Sequence, residues 1–145
     1  MKEGWRMVKL GKIVKLIADG DWIESKDQSH EGIRLIQTGN IGVGFFKDKS
    51  DSCRYISEST FNKLKCTEIF EGDCLVSRLP DPVGRACIIP CTNTRMITAV
   101  DCSILRFDNS VLPGWFVFYS QSKEYFNKVD KESTGSTRKR ISRKN

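Results

Sequence analysis

Residues 33–46 read Ile33-Arg34-Leu35-Ile36-Gln37-Thr38-Gly39-Asn40-Ile41-Gly42-Val43-Gly44-Phe45-Phe46. The stretch from Gly32 to Thr38 has the β-branched and apolar content of a strand, with Ile33, Leu35 and Gln37 on one face. Gly39-Asn40 is a turn signal. Ile41 to Phe46 then resumes as a Gly-rich extended segment. Three glycines near a strand bring a phosphate loop to mind, but Gly39, Gly42 and Gly44 fit neither nucleotide-binding fingerprint. No helical pattern follows them, so they read as backbone turns.

Downstream, short elements follow one another. Asp48 to Asp51 is a polar loop. Ser57 caps a helix holding Phe61 and Leu64. Glu71-Gly72-Asp73 is a turn before a strand at Cys74 to Ser77. Leu79-Pro80-Asp81-Pro82 is a loop, because each proline fixes φ and removes a donor. Arg85 to Ile89 is a strand, Pro90 to Thr94 a turn, and Ile97 to Phe107 one or two further strands. Pro113 suits the first turn of a helix. Trp115, Phe118, Tyr119, Ser122, Phe126 and Val129 then trace one face, expected to be core. Upstream, Leu10, Ile13, Val14 and Ile17 recur at helical spacing and Gly20 follows as a stop. The expected fold is α+β. It is a single domain of mixed or antiparallel short strands, with a short N-terminal helix and a longer helix near the C-terminus.

Composition bounds the function. A chain of 145 residues with 39% hydrophobic and 29% charged residues has the make-up of one folded domain. It has no apolar run of membrane-spanning length. Its opening, Met1-Lys2-Glu3-Gly4-Trp5, lacks the apolar core of a secretory signal, so a cytoplasmic location is expected. The net charge of +6 is unevenly placed. Ser120 to Asn145 carries eight Lys or Arg against three acids, leaving 16 against 15 in the first 119 residues. A nearly neutral body with a basic tail points to an anionic partner or to a solvated terminus.

The six cysteines, 53, 66, 74, 87, 91 and 102, include no CxxC pair, and the single histidine is His30. Buried structural thiols are expected rather than a zinc site. A catalytic set does not emerge: His30 lies in a loop of polar residues, and Asp73, Asp81 and Asp101 fall in turns. No cofactor or metal is expected, and the chain reads as a non-enzyme.

The order of segments carries a resemblance. Trp5 and VKLGKIVKLI precede Gly20-Asp21. IRLIQTGNIGVGFF, ISESTFNKLK, FEGDCLVSR with Gly84, ITAVDCSILRF and FVFYSQSKEYFNKV follow, and then STGSTRKRIS. This series resembles the target recognition domain of the DNA specificity subunit of type I restriction-modification systems. IQTGNI, EGDCLVS with its following glycine, and the Gly-Ser-Thr run are the most telling pieces. The resemblance implies a domain over residues 1–132 that reads one half of a split duplex target without catalysis. It also implies a basic segment, 133–145, leading toward a connecting helix. The implied partners are double-stranded DNA, a methyltransferase (modification) subunit using S-adenosylmethionine and, through it, a restriction subunit. Family members usually hold two such domains. The chain carries one, so a second specificity half-subunit is a further candidate partner.

The residue chemistry can be read independently of that family. Arg and Lys read guanine, Asn and Gln read adenine, and Ser and Thr read either. Three loops carry such groups: Gln37, Thr38 and Asn40; Ser77, Arg78 and Arg85; and Thr92, Asn93, Thr94 and Arg95. Lys47, Lys49 and Arg54 are candidates for phosphates at the edge. In the tail, Arg138, Lys139 and Arg140 hold phosphates or begin the helix that docks on partner subunits. A different class of function, an assembly module binding a methyltransferase through that tail, remains the alternative.

Overall fold

The computed structural model describes residues 14–80, 82–107 and 112–132. Its strands are β1 (Val14–Asp19), β2 (Gln28–Ser29), β3 (Ile33–Ile36), β4 (Arg54–Ile56), β5 (Cys74–Ser77), β6 (Ala86–Ile88), β7 (Met96–Thr98) and β8 (Cys102–Phe107). Its α-helices are α1 (Glu58–Leu64), α2 (Pro113–Tyr119) and α3 (Lys123–Glu132). The strands form two four-stranded sheets, in the orders β1-β8-β5-β6 and β2-β4-β3-β7. All pairings are antiparallel except β3 with β7. The fold is α+β, with short mixed strands and a few short helices.

Neighbouring residues in these strands enter different cores, because side chains alternate across a pleat. Ile36, Leu75, Cys87 and Ile104 meet in a cluster that also takes Ile41, Ile69, Ile89, Met96 and Cys102 and draws on both sheets. The residues beside them, Cys74, Ala86 and Leu105, pack with Phe116 and Val117 of α2. Ile33, Leu35, Ile56 and Ile97 pack with Phe61 of α1. Sheets apolar on both faces explain why the strands read as near-continuous apolar runs.

The N-terminal helix expected over Leu10 to Ile17 is corrected. Residues 10–13 lie outside the described residues, but Val14 to Ile17 belong to strand β1, paired with β8. Leu16 packs on the central cluster and Ile17 on the cluster under α2, a period of two rather than 3.6. Gly20 stops no helix. A Cβ there would stand 2.2 Å from the Ala99 carbonyl oxygen, so glycine permits a close backbone approach.

The longer C-terminal helix is two helices. Ser120 turns its hydroxyl back to the Val117 carbonyl, and the Ser122 hydroxyl accepts from the Tyr125 N–H at 3.1 Å at the start of α3. The buried face of α2 is Phe116 and Val117 rather than Trp115 and Phe118, and Phe118 is 78% exposed. Val129 is buried as expected. Ser57 caps α1 through a 3.1 Å bond from the Thr60 N–H, and Pro113 opens α2.

Candidate nucleic-acid interface

The chain after β3 forms a single tight turn, Thr38–Asn40, and then a short hairpin in which Ile41 pairs with Phe46. Asn40 is its clasp. Its side-chain oxygen accepts from the Gln37 N–H at 2.9 Å, and its amide donates to the Lys47 carbonyl at 2.8 Å. The Gly44 N–H donates to Ala86 of β6 at 2.9 Å, and a Cβ on Gly44 would stand 2.5 Å from the Gln121 side chain. The hairpin is therefore pressed against β6 and the α2–α3 junction.

Arg85 joins this turn to the proline loop. Its Nε donates to the Ile41 carbonyl at 2.6 Å and Nη2 to the Thr38 carbonyl at 3.0 Å. Its Nη1 donates to Leu79 at 3.0 Å and Pro82 at 3.2 Å. At 8% exposure, the guanidinium is a buried stitch between two of the three predicted loops. Ser77 is fully buried, and its hydroxyl donates to the Leu79 carbonyl at 2.8 Å. Arg78 holds the Val100 carbonyl at 3.1 Å and the Asp19 carboxylate at 3.3 Å.

Gln37 and Thr38 are half-buried on the turn, beside exposed Gly39. Lys47 and Lys49 are exposed. The Lys47 ammonium lies 5.9 Å from the centre of the Phe45 ring, and the Lys49 ammonium lies 3.3 Å from where a Cβ on Gly39 would stand. Val43 and Phe45 add exposed apolar surface to the same hairpin. Arg54 is exposed and donates to Gln28 at 2.7 Å.

The third loop sits apart. Thr92, Asn93 and Thr94 face Asp48 and Ser50 across a groove of about 720 Å³. Asn93 holds a left-handed backbone, φ 60°, which suits its short polar side chain. Arg95 lies 4.8 Å over the Phe61 ring and pairs with Glu68 at 3.0 Å and Glu58 at 3.3 Å. Hydrogen bonding to Glu68 raises its already high pKa further. Arg138, Lys139 and Arg140 lie outside the described residues, as does Asp81.

Sequence reasoning missed Arg34. It lies in a strand whose four residues are all buried, at 5% exposure. The signal was there: one charge inside an otherwise apolar strand. Its Nη1 donates to the Asp48 carboxylate at 3.1 Å, and its Nη2 donates to the Asp48 carbonyl. Bonds from the Ser50 hydroxyl and then from Arg34 hold the Asp48 carboxyl below its ordinary pKa.

Among the described residues, no group of three or more His, Cys, Asp or Glu side chains is placed to hold a metal ion. No helix among them is long and apolar enough to cross a membrane. All six cysteines are free; Cys74, Cys87 and Cys102 are buried, Cys53 and Cys66 half-buried, and Cys91 exposed.

This architecture is shared with specificity subunits of type I restriction-modification (R-M) systems. One similar chain comes from a structure described as the basis of complex assembly and conformational transition of the type I R-M system. It matches with a TM-score of 0.68 and 20% identity over 99% of this chain and 32% of that one. The HsdS subunit from Thermoanaerobacter tengcongensis matches with a TM-score of 0.61 and 20% identity, over 87% of this chain and 32% of that one. The chain thus spans about a third of the length of these solved structures. No family model matches it, and no curated protein does either.

Proposed function

We propose that this chain is a non-catalytic duplex-DNA reader, a target recognition module of the type I specificity kind, which reads one half of a bipartite site for a methyltransferase and nuclease complex. The observation that carries the reading is the Arg85 stitch. It fixes the turn Gln37–Asn40 against the proline loop and so holds base-reading chemistry beside two exposed lysines.

The candidate residues divide into two roles on this reading. Gln37 and Thr38 address base edges, and Lys47 and Lys49 address phosphates. Asn40, Ser77, Arg78 and Arg85 position the loops through the bonds described above. Asn93, Thr94 and Arg95 belong to a second edge across the groove. Arg138, Lys139 and Arg140 either extend the phosphate contacts or lead into the partner subunit. The partners are double-stranded DNA, a modification subunit and, through it, a restriction subunit, together with a second specificity half. The chain brings no cofactor of its own, and its setting is the cytoplasm, where such complexes meet DNA.

Fluorescence anisotropy on duplexes of varied sequence tests this. Gln37→Ala should relax preference at one base pair by about 1–3 kcal/mol. Lys49→Ala should weaken all duplexes evenly and lower the salt slope by about one. Equal affinity of the parent protein for every duplex would overturn the reading.

The exposed apolar face of α2 favours a second reading as an assembly module. Leu112 and Phe118 are 80% and 78% exposed, and Trp115, stacked on Tyr119, is 38% exposed. Such residues are enriched where proteins meet. Capture of a methyltransferase subunit that survives loss of all duplex preference would support this alternative.

A further inference from the structure

The tip of the hairpin after Asn40 is apolar where a surface turn is ordinarily polar. Val43 and Phe45 are 39% and 56% exposed. Their backbone is well held. The Gly42 N–H donates to the Phe45 carbonyl at 2.8 Å, the Lys47 N–H to the Asn40 carbonyl at 2.7 Å, and the Gly44 N–H to Ala86 of β6. Arg85 takes the Ile41 carbonyl at the base of the hairpin. The two side chains are thus exposed on a braced support. The Phe45 ring itself rests against Gly42, where a Cβ would stand 2.7 Å from its Cε1 and Cζ. Glycine at 42 is what lets the ring settle there. A ring already seated gives up little rotamer freedom on binding. Laid against its own hairpin, it offers an apolar surface rather than a wedge to part stacked bases.

The charges around the tip select the occupant. The Lys47 ammonium lies 5.9 Å from the centre of the Phe45 ring. The Lys49 ammonium lies close to Gly39, on the turn that carries Gln37 and Thr38. Lysine is depleted where proteins meet one another, whereas it suits a phosphate backbone. Charge complementarity therefore favours a duplex over an apolar protein face. The apolar group that a base pair presents in the major groove is the 5-methyl of thymine, and aromatic side chains are among its partners.

We infer that the hairpin tip, through Phe45 with Val43, is a thymine-methyl contact, so that the half-site read by this chain holds a thymine recognised by its 5-methyl group. This rests on the duplex reading proposed above and adds an apolar element to it. Gln37 and Thr38 supply hydrogen bonds to base edges, and the tip removes one methyl from water.

Two pools of random duplex test it, one containing thymidine and one containing deoxyuridine in its place. Each is selected against the parent protein, Phe45→Ala and Phe45→Leu, with urea denaturation to confirm that the variants are folded. The parent should enrich a motif with a T·A position whose preference weakens in the deoxyuridine pool. Replacing that thymine by uracil in the enriched duplex should weaken binding about fourfold, the value of one buried methyl. Phe45→Ala should bind the thymine duplex at least that much more weakly and be indifferent to the replacement. Phe45→Leu, which keeps apolar surface, should retain most of the preference. A motif equally strong in both pools, or a uracil effect undiminished in Phe45→Ala, overturns this inference and leaves the duplex reading standing. No motif from either pool with the parent protein overturns both. Phe45→Ala that keeps the whole motif but loses capture of a methyltransferase subunit assigns the tip to a protein contact and overturns the inference.

Discussion

Two buried arginines lie on either side of the same hairpin, and they are bonded differently. Arg85 is 8% exposed, and all three of its nitrogens donate to backbone carbonyls, from Thr38, Ile41, Leu79 and Pro82. Arg34 is 5% exposed, holds only Asp48, and keeps an unanswered Nε beside a groove. Burial alone does not distinguish scaffold from site. The count of donors already answered does, because a saturated guanidinium has nothing left to offer a ligand. By that measure Arg85 is a brace between two loops, whereas Arg34 is tied to Asp48 alone.

Substitution offers the most forceful way to break this comparison. Arg85→Ala removes the four bonds that tie the two loops together and leaves the Ile41 carbonyl without the Arg85 donor, and should cost about 3 kcal/mol or more. Urea denaturation measures it, and a loss under 1 kcal/mol would contradict the framing role. Arg34→Gln removes one partly exposed ion pair and should cost less, about 1–2 kcal/mol. Equal losses at the two positions would erase the distinction drawn here.

The thiols sharpen the contrast between core and groove with smaller effects. Burial pushes Cys87 and Cys102 up to about 12 from the usual 9. The folded protein keeps protons that the unfolded chain gives up. Stability from these groups is therefore full below pH 9 and is lost as pH rises toward 12. The urea midpoint should fall between pH 8 and pH 10, and a flat profile would contradict it. Smallest of all, a thiol reagent at pH 8 should label exposed Cys91 first, without change in stability. Rapid labelling of Cys74, Cys87 or Cys102 in the native protein would contradict the packed core.

Much of the fold was legible where a local rule and the tertiary setting agree. Ser57 as a cap, Pro113 as a first turn, and the strands Cys74–Ser77 and Ala86–Ile88 all appear where turn chemistry and β-branched content place them. The failures came where tertiary contacts decide. Val14–Asp19 carries apolar residues compatible with both periods, and pairing with β8 selects the strand. The aromatic run after Pro113 satisfied a single long helix until Ser120 and Ser122 bonded locally and divided it. Within the candidate site, loop composition singled out Gln37, Lys47 and Lys49, which lie at least partly exposed, but did not separate such groups from a brace. Asn40 and Arg85 have the right chemistry for bases and are instead bonded inward. For Arg85 that distinction depends on contacts with residues more than 40 positions away, which no local pattern encodes.

The central claim is that this frame presents base-reading groups to a duplex. Selection from random duplex DNA, sequenced at low and at higher salt, tests it most directly. The account predicts a short enriched motif that persists at the higher salt, because base contacts survive when counterion release weakens. Binding with no motif, falling steeply with salt, would contradict it and leave only phosphate attraction.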